Sequence, residues 1–120
     1  MRIGRSTKYH NTKIHGYDSK KEYLRSLQLK DELKKGRITE LKEQVVFTLQ
    51  DSFKIRSGKT KSGYATIKAI TYKADFTYFK GGVYYIEDTK GFKTKDYRLK
   101  AKMLRKLIAD GKIDAVFVES

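Results

Sequence analysis

The chain has no cysteine and no proline, and only two of its 120 residues are histidine. Without cysteine there is no disulfide, no thiolate-ligated zinc and no thiol nucleophile, a usage that fits a cytosolic interior. Without proline, tight turns must rest on glycine and Asx residues. No apolar run approaches the roughly 18 residues that cross a bilayer, and the N-terminus turns polar too early for a secretory leader, so a cytoplasmic location is expected. The glycines are scattered, which excludes a phosphate loop of the P-loop or dinucleotide type. Acid is scarce: 14 Asp+Glu stand against 28 Lys+Arg, a formal net charge of +14. Such an excess costs self-repulsion and points to a polyanionic partner. Nucleic acid is preferred over an anionic membrane, because no basic amphipathic helix carries a continuous bulky apolar face.

The length suits one domain, able to bury roughly 65% of its unfolded surface. Residues 1–17 read as a basic arm holding His10 and His15, five apart and off any common helical face, so a surface or DNA-contacting role is expected rather than a metal site. The folded domain is placed at 18–120. Ser19 and Glu22 form a capping box opening a helix, with Tyr23, Leu24, Leu27 and Leu33 as its buried stripe and Gly36 as its end. The β-rich run Val45–Leu49 predicts a strand from about Leu41 to Gln50. Asp51 to Gly63 is polar and reads as a loop. Thr66 to Phe79 and Gly82 to Lys90 read as two strands joined by Lys80-Gly81-Gly82. Thr94 caps a second helix with Tyr97, Ala101, Leu104 and Ile108 at helical spacing, closed by Gly111; Ile113–Val118 is a strand that follows it as a parallel crossover requires. The expected fold class is therefore α/β: helix, three-strand antiparallel meander, helix, parallel strand.

The chemistry-bearing residues lie around the central hairpin. Acid-x-Lys occurs five times, at Asp18, Glu32, Glu40, Asp88 and Asp110, and only Asp88-Thr89-Lys90 ends an apolar strand. The two-residue period puts Asp88 and Lys90 on the face of Tyr84 and Ile86, with Glu87 facing away. Asp75 sits mid-strand between Ala74 and Phe76, costly for a carboxylate without a partner; an ion pair with Lys90 is the plain structural account. The functional account is that Asp75, Asp88 and a backbone carbonyl from Thr89 hold Mg²⁺ or Mn²⁺, while Lys90 orients water or offsets growing charge. Glu22 either caps its helix or adds an outer ligand or base.

These residues carry a resemblance. The helix with Glu22, the strand with Asp75, the strand ending Asp88-Thr89-Lys90, the second helix and the last strand resemble the PD-(D/E)XK nuclease core over roughly residues 18–118. Gly16-Tyr17-Asp18-Ser19-Lys20-Lys21-Glu22, Tyr72-Lys73-Ala74-Asp75-Phe76, Glu87-Asp88-Thr89-Lys90-Gly91, and Tyr97, Leu99 and Lys100 further resemble a small phage and prophage family similar to junction-resolving endonucleases. The resemblance implies a restriction-endonuclease-like fold and a Mg²⁺-dependent endonuclease for branched DNA, as in Holliday junction resolution during recombination. It implies catalytic roles for Glu22, Asp75, Asp88 and Lys90, with Gln44 as a lesser candidate for orienting water or metal. It also implies a homodimer and, for a phage product, the host cytoplasm. The chain departs from the wider superfamily in having Asp rather than Glu at 88 and no proline before Asp75. Lys54, Arg56, Lys59 and Lys61, and Lys93, Lys95, Arg98, Lys100 and Lys102, are the basic residues expected to hold the DNA backbone. A nickase or flap-cutting enzyme, or a non-catalytic DNA-binding module, are the competing readings.

Overall fold

A computed structural model describes residues 13–120, in the order α1 (Lys20–Lys34), β1 (Thr39–Gln50), β2 (Phe53–Arg56), β3 (Tyr64–Ile67), β4 (Ile70–Lys80), β5 (Val83–Asp88), α2 (Lys95–Ala109) and β6 (Val116–Glu119). Local chemistry sets most boundaries. Ser19 Oγ accepts the Glu22 N–H at 3.0 Å and Thr94 Oγ1 accepts the Tyr97 N–H at 3.0 Å, so each helix starts on a hydroxyl cap. Lys80 pairs with Val83 across Gly81-Gly82, whose φ values of 59° and 78° are those of a type I′ turn.

The main sheet has the order β1-β4-β5-β6, an antiparallel meander extended by β6 parallel to β5. The fold is thus the mixed α/β domain expected, with a helix on each face. On one face Tyr97, Ala101 and Leu104 of α2 pack with Leu49, Tyr72, Ala74 and Ile86. On the other, Leu29 of α1 packs with Ile38, Phe76 and Tyr78. Among the described residues no helix is long and apolar enough to cross a membrane.

The alternation of β1 and β4 slips at one shared level. Ala74 belongs to the α2-side cluster and Phe76, two residues on, to the α1-side cluster, although a regular strand would put both on one face. In β1, Glu43 reaches Lys30 of α1 at 3.8 Å, whereas Phe47 packs on the α2 side. Register is kept through the slip: Glu43 pairs with Phe76 and Val45 with Ala74, which sets Gln44 across from Asp75. Gln44 takes a φ of 55°, a left-handed conformation costing a residue with a side chain about 1 kcal/mol or more.

Four expectations need correction. The inward face of α1 is Glu22, Ser26 and Leu29, while Leu24, Leu27 and Leu33 are 45%, 46% and 41% exposed. The polar face wins because Glu22, Ser26 and Leu29 recur at i, i+4 and i+7, and Arg25 beside them is held by Glu87. Residues 51–63 are not simply a loop: β2 lies inside them and pairs with β3 as a separate two-stranded ribbon. The strand expected from Thr66 to Phe79 is accordingly divided between β3 and β4. The last strand is also shorter than expected, beginning at Val116. His10 and most of the basic arm lie outside the described residues; His15 stacks on Tyr23 with ring centroids 4.4 Å apart.

Candidate active site

The β4–β5 register brings the two aspartates together. Phe76 pairs with Glu87, so one step further along the ladder Asp75 faces Asp88. There the ladder ends, and the Thr89 N–H turns instead to Asp75 Oδ2 at 2.9 Å, joined by the Thr89 hydroxyl at 2.8 Å. The expectation for Thr89 is a carbonyl offered to metal; the structure shows it donating twice to Asp75, an orienting role that the tripeptide pattern does not reveal.

Asp88 is fully buried. Its Oδ2 accepts a hydrogen bond from the Tyr72 hydroxyl, and Lys90 Nζ lies 3.4 Å from its Oδ1. That Oδ1 is nevertheless buried without a hydrogen-bond partner. Lys90 therefore sits against Asp88 rather than forming the ion pair with Asp75 that a purely structural account proposes, and its ammonium lies 5.6 Å from the centre of the Tyr97 ring. Burial, with the charge of Asp75 beside it, pushes the Asp88 carboxyl up to about 6 despite the Tyr72 bond. Burial pushes the Tyr72 hydroxyl far above its ordinary range, helped by Asp88, so it stays a donor.

Glu22 enters from α1, buried, with Gln44 Nε2 donating to its Oε2 at 2.7 Å. The capping role and the site role are divided between atoms. The Glu22 backbone N–H is taken by Ser19, and its carboxylate is taken by Gln44. Burial, then the charges of Asp75 and Asp18, raise it to about 7, with Lys90 opposing. The left-handed turn at Gln44 thus coincides with the amide that holds Glu22.

Glu87 faces the other way, as the strand period predicts. Arg25 grips it through Nε at 2.6 Å and a terminal nitrogen at 3.0 Å, and Tyr78 and Ser120 donate at 2.7 and 2.8 Å. Burial alone would raise its pKa, but these bonds outweigh burial and hold it below the ordinary range. Glu87 is a satisfied structural anion; Asp88 is not.

A hard divalent cation fits this donor set. The donors are carboxylate oxygens, one of them buried without a hydrogen bond, and burial followed by neighbouring like charge raises two pKa values. Among the described residues no three or more His, Cys, Asp or Glu side chains form a ready metal cage. Mg²⁺ does not require one, since it commonly binds through one or two carboxylates and keeps several waters.

The basic residues expected on DNA divide into two groups. Lys54, Arg56, Lys59 and Lys61 are exposed on the ribbon, which leaves the sheet at the Gln50/Ile70 end, roughly 15–20 Å along β4 from Asp75. On α2, Lys95, Arg98 and Lys102 are exposed and Lys100 lies 3.6 Å from Asp96, while Lys93, just before the helix, lies 3.7 Å from Glu119. The family model described as "Protein of unknown function (DUF1064)" matches residues 6–117, and the chain belongs to that family. No curated protein and no solved structure matches it.

Proposed function

We propose that this member of the DUF1064 family is a divalent-metal-dependent DNA endonuclease for branched DNA, four-way junctions first among them, on a PD-(D/E)XK-like core. The observation that carries this reading is the buried Asp88 Oδ1, which accepts no hydrogen bond although Asp75 faces its carboxylate and the Lys90 ammonium lies 3.4 Å away. A buried acceptor left without a hydrogen bond costs about 1–3 kcal/mol, and the Lys90 ammonium at 3.4 Å offsets only part of the charge that Asp75 and Asp88 bring together. Asp75 and Asp88 would hold Mg²⁺ or Mn²⁺, with Thr89 beside them and Glu22 as an outer ligand or base. The bound ion supplies Lewis-acid polarisation of the phosphoryl oxygen and acidifies a bound water.

The chain's own groups do the remaining work. Tyr72 and Thr89 each tie one oxygen of an aspartate, orienting the pair before any ligand arrives. Lys90 stands where charge grows on the phosphate. Glu22, raised to about 7, exchanges protons near neutral pH, the property a general base needs. The excess of basic residues supplies salt-sensitive attraction to the backbone. A four-way junction has near two-fold symmetry and requires paired cuts, so the working unit is a C2 homodimer, for which the outer leucines Leu24 and Leu27 of α1 offer a contact surface.

The test compares labelled junction, flap, nicked and linear duplex DNA in Mg²⁺ for the native chain and Asp75→Asn. Preferential junction cutting that is lost in the variant supports the reading. Cutting mainly of flaps or nicks moves it to another structure-specific nuclease. DNA binding with no metal-dependent cutting of any substrate reduces the protein to a binding module.

A further inference from the structure

Phe92 is 82% exposed, while no other large apolar side chain among the described residues exceeds 59%. It stands in the short connection between Asp88 and the Thr94 cap of α2, two residues beyond Lys90. Beneath it a groove of about 380 Å³ is lined by Tyr72, Lys73, Lys90, Phe92, Tyr97 and Lys100. That volume lies within the range of small-ligand sites. Tyr72 touches Asp88 and Lys90 lies over Tyr97, so the groove is continuous with the carboxylate cluster. In sequence Lys90 precedes the phenyl ring by two residues, and Lys93 and Lys95 follow it by one and three. Asp96, which also borders the groove, is matched by Lys100 at 3.6 Å.

A bare aromatic face among ammonium groups suits one occupant best. A nucleobase presents a flat apolar face to the ring, and its phosphates meet the lysines. Lys90, Lys93 and Lys100 each have a carboxylate within 3.4–3.7 Å, but Lys73 and Lys95 are paired with none among the described residues, and an apolar protein segment would leave these two without counter-charge. We propose that Phe92 is a stacking platform for a single nucleobase lifted out of its helix beside the phosphate at Asp75 and Asp88. This rests on the nuclease reading and narrows its substrate class to DNA whose stacking is interrupted. A branch point or a nick offers such a base, whereas a continuous duplex must first unstack it.

The chain contains no tryptophan, so Phe92→Trp creates a sole tryptophan at the platform, excited at wavelengths where the nine tyrosines do not absorb. The full chain carrying this change is titrated in EDTA with a ten-residue oligo-dT strand and with a ten-pair duplex, binding being followed independently by anisotropy of labelled DNA. The expected result is tryptophan quenching by the single strand and little by the duplex. Phe92→Ala should bind oligo-dT about tenfold more weakly with the same slope against salt and the same Tm. Binding by anisotropy without quenching, or an Ala variant within twofold of native affinity, overturns the platform. Because no metal or cleavage enters this measurement, quenching in a protein that cuts no DNA keeps the platform and removes the nuclease. Cutting without quenching does the reverse.

Discussion

Asp88 is buried with one oxygen that accepts no hydrogen bond, another carboxylate opposite and only the Lys90 ammonium, 3.4 Å away, to offset its charge, a placement that lowers stability unless a further cation joins it. Asp88→Asn removes the repulsion and keeps an acceptor for Tyr72. It should raise the metal-free Tm by about 3–5 °C while lowering Mg²⁺-dependent cleavage by about a hundredfold or more. Calorimetry in EDTA and a single-turnover cleavage assay check the two halves, and a fall in Tm would mean that the carboxylate is structural. The pH dependence follows from the two raised acids. Glu22 and Asp88 titrate at about 7 and 6 in the folded chain, against ordinary values of 4.5 and 3.8. Between these limits the folded state holds more protons than the unfolded one, so metal-free stability falls as pH rises through the window. Below the ordinary values the penalty is absent, and above about 7 it is complete. Protons and metal compete for the same oxygens, so the Tm gain from Mg²⁺ should be small at about pH 5.5 and full at about pH 8. An equal gain at both pH values would place the ion elsewhere.

The position of α1 depends on the Arg25–Glu87 pair as much as on apolar packing, because much of the helix's leucine content faces outward. Arg25→Ala leaves Glu87 buried on its remaining bonds to Tyr78 and Ser120. The loss should be about 2 kcal/mol, less than for a wholly buried pair because Arg25 is partly exposed. Urea unfolding measures it. Arg25→Lys should recover only part, since an ammonium cannot reproduce the two-pronged grip. The same loosening should lower cleavage, because Glu22 lies one turn earlier on the helix. Much at this scale was legible: both helix caps, the Gly81-Gly82 turn and the parity separating Asp88 from Glu87 are local patterns. The inward face of α1 was not, because leucines at Leu24 and Leu27 outweigh Glu22 and Ser26 on any hydropathy count. The ribbon had a signal that its basic content obscured. Phe53 and Ile55 alternate with Lys54 and Arg56, a two-residue period.

For the molecule as a whole the governing quantity is the net charge of +14. Replacing Lys54, Arg56, Lys59 and Lys61 with serine should leave Tm nearly unchanged, since all four are exposed. DNA affinity should fall, and its slope against log salt should flatten by roughly 0.9 for each phosphate that the ribbon no longer neutralises. Fluorescence anisotropy across a salt series decides it, and an unchanged slope would take the ribbon off the DNA path. The sequence alone was enough for both helices, the β4–β5 hairpin, the two-residue parity of β5 and the pairing of Asp75 with Asp88, because caps, turns and strand period act over a few residues. Only the tertiary structure decided that Lys90 lies on Asp88, that Gln44 holds Glu22, that Thr89 orients Asp75, and that Glu87 is satisfied where Asp88 is not. Those interactions join residues distant in the chain, and a buried carboxylate's state depends on which donors the fold brings to it.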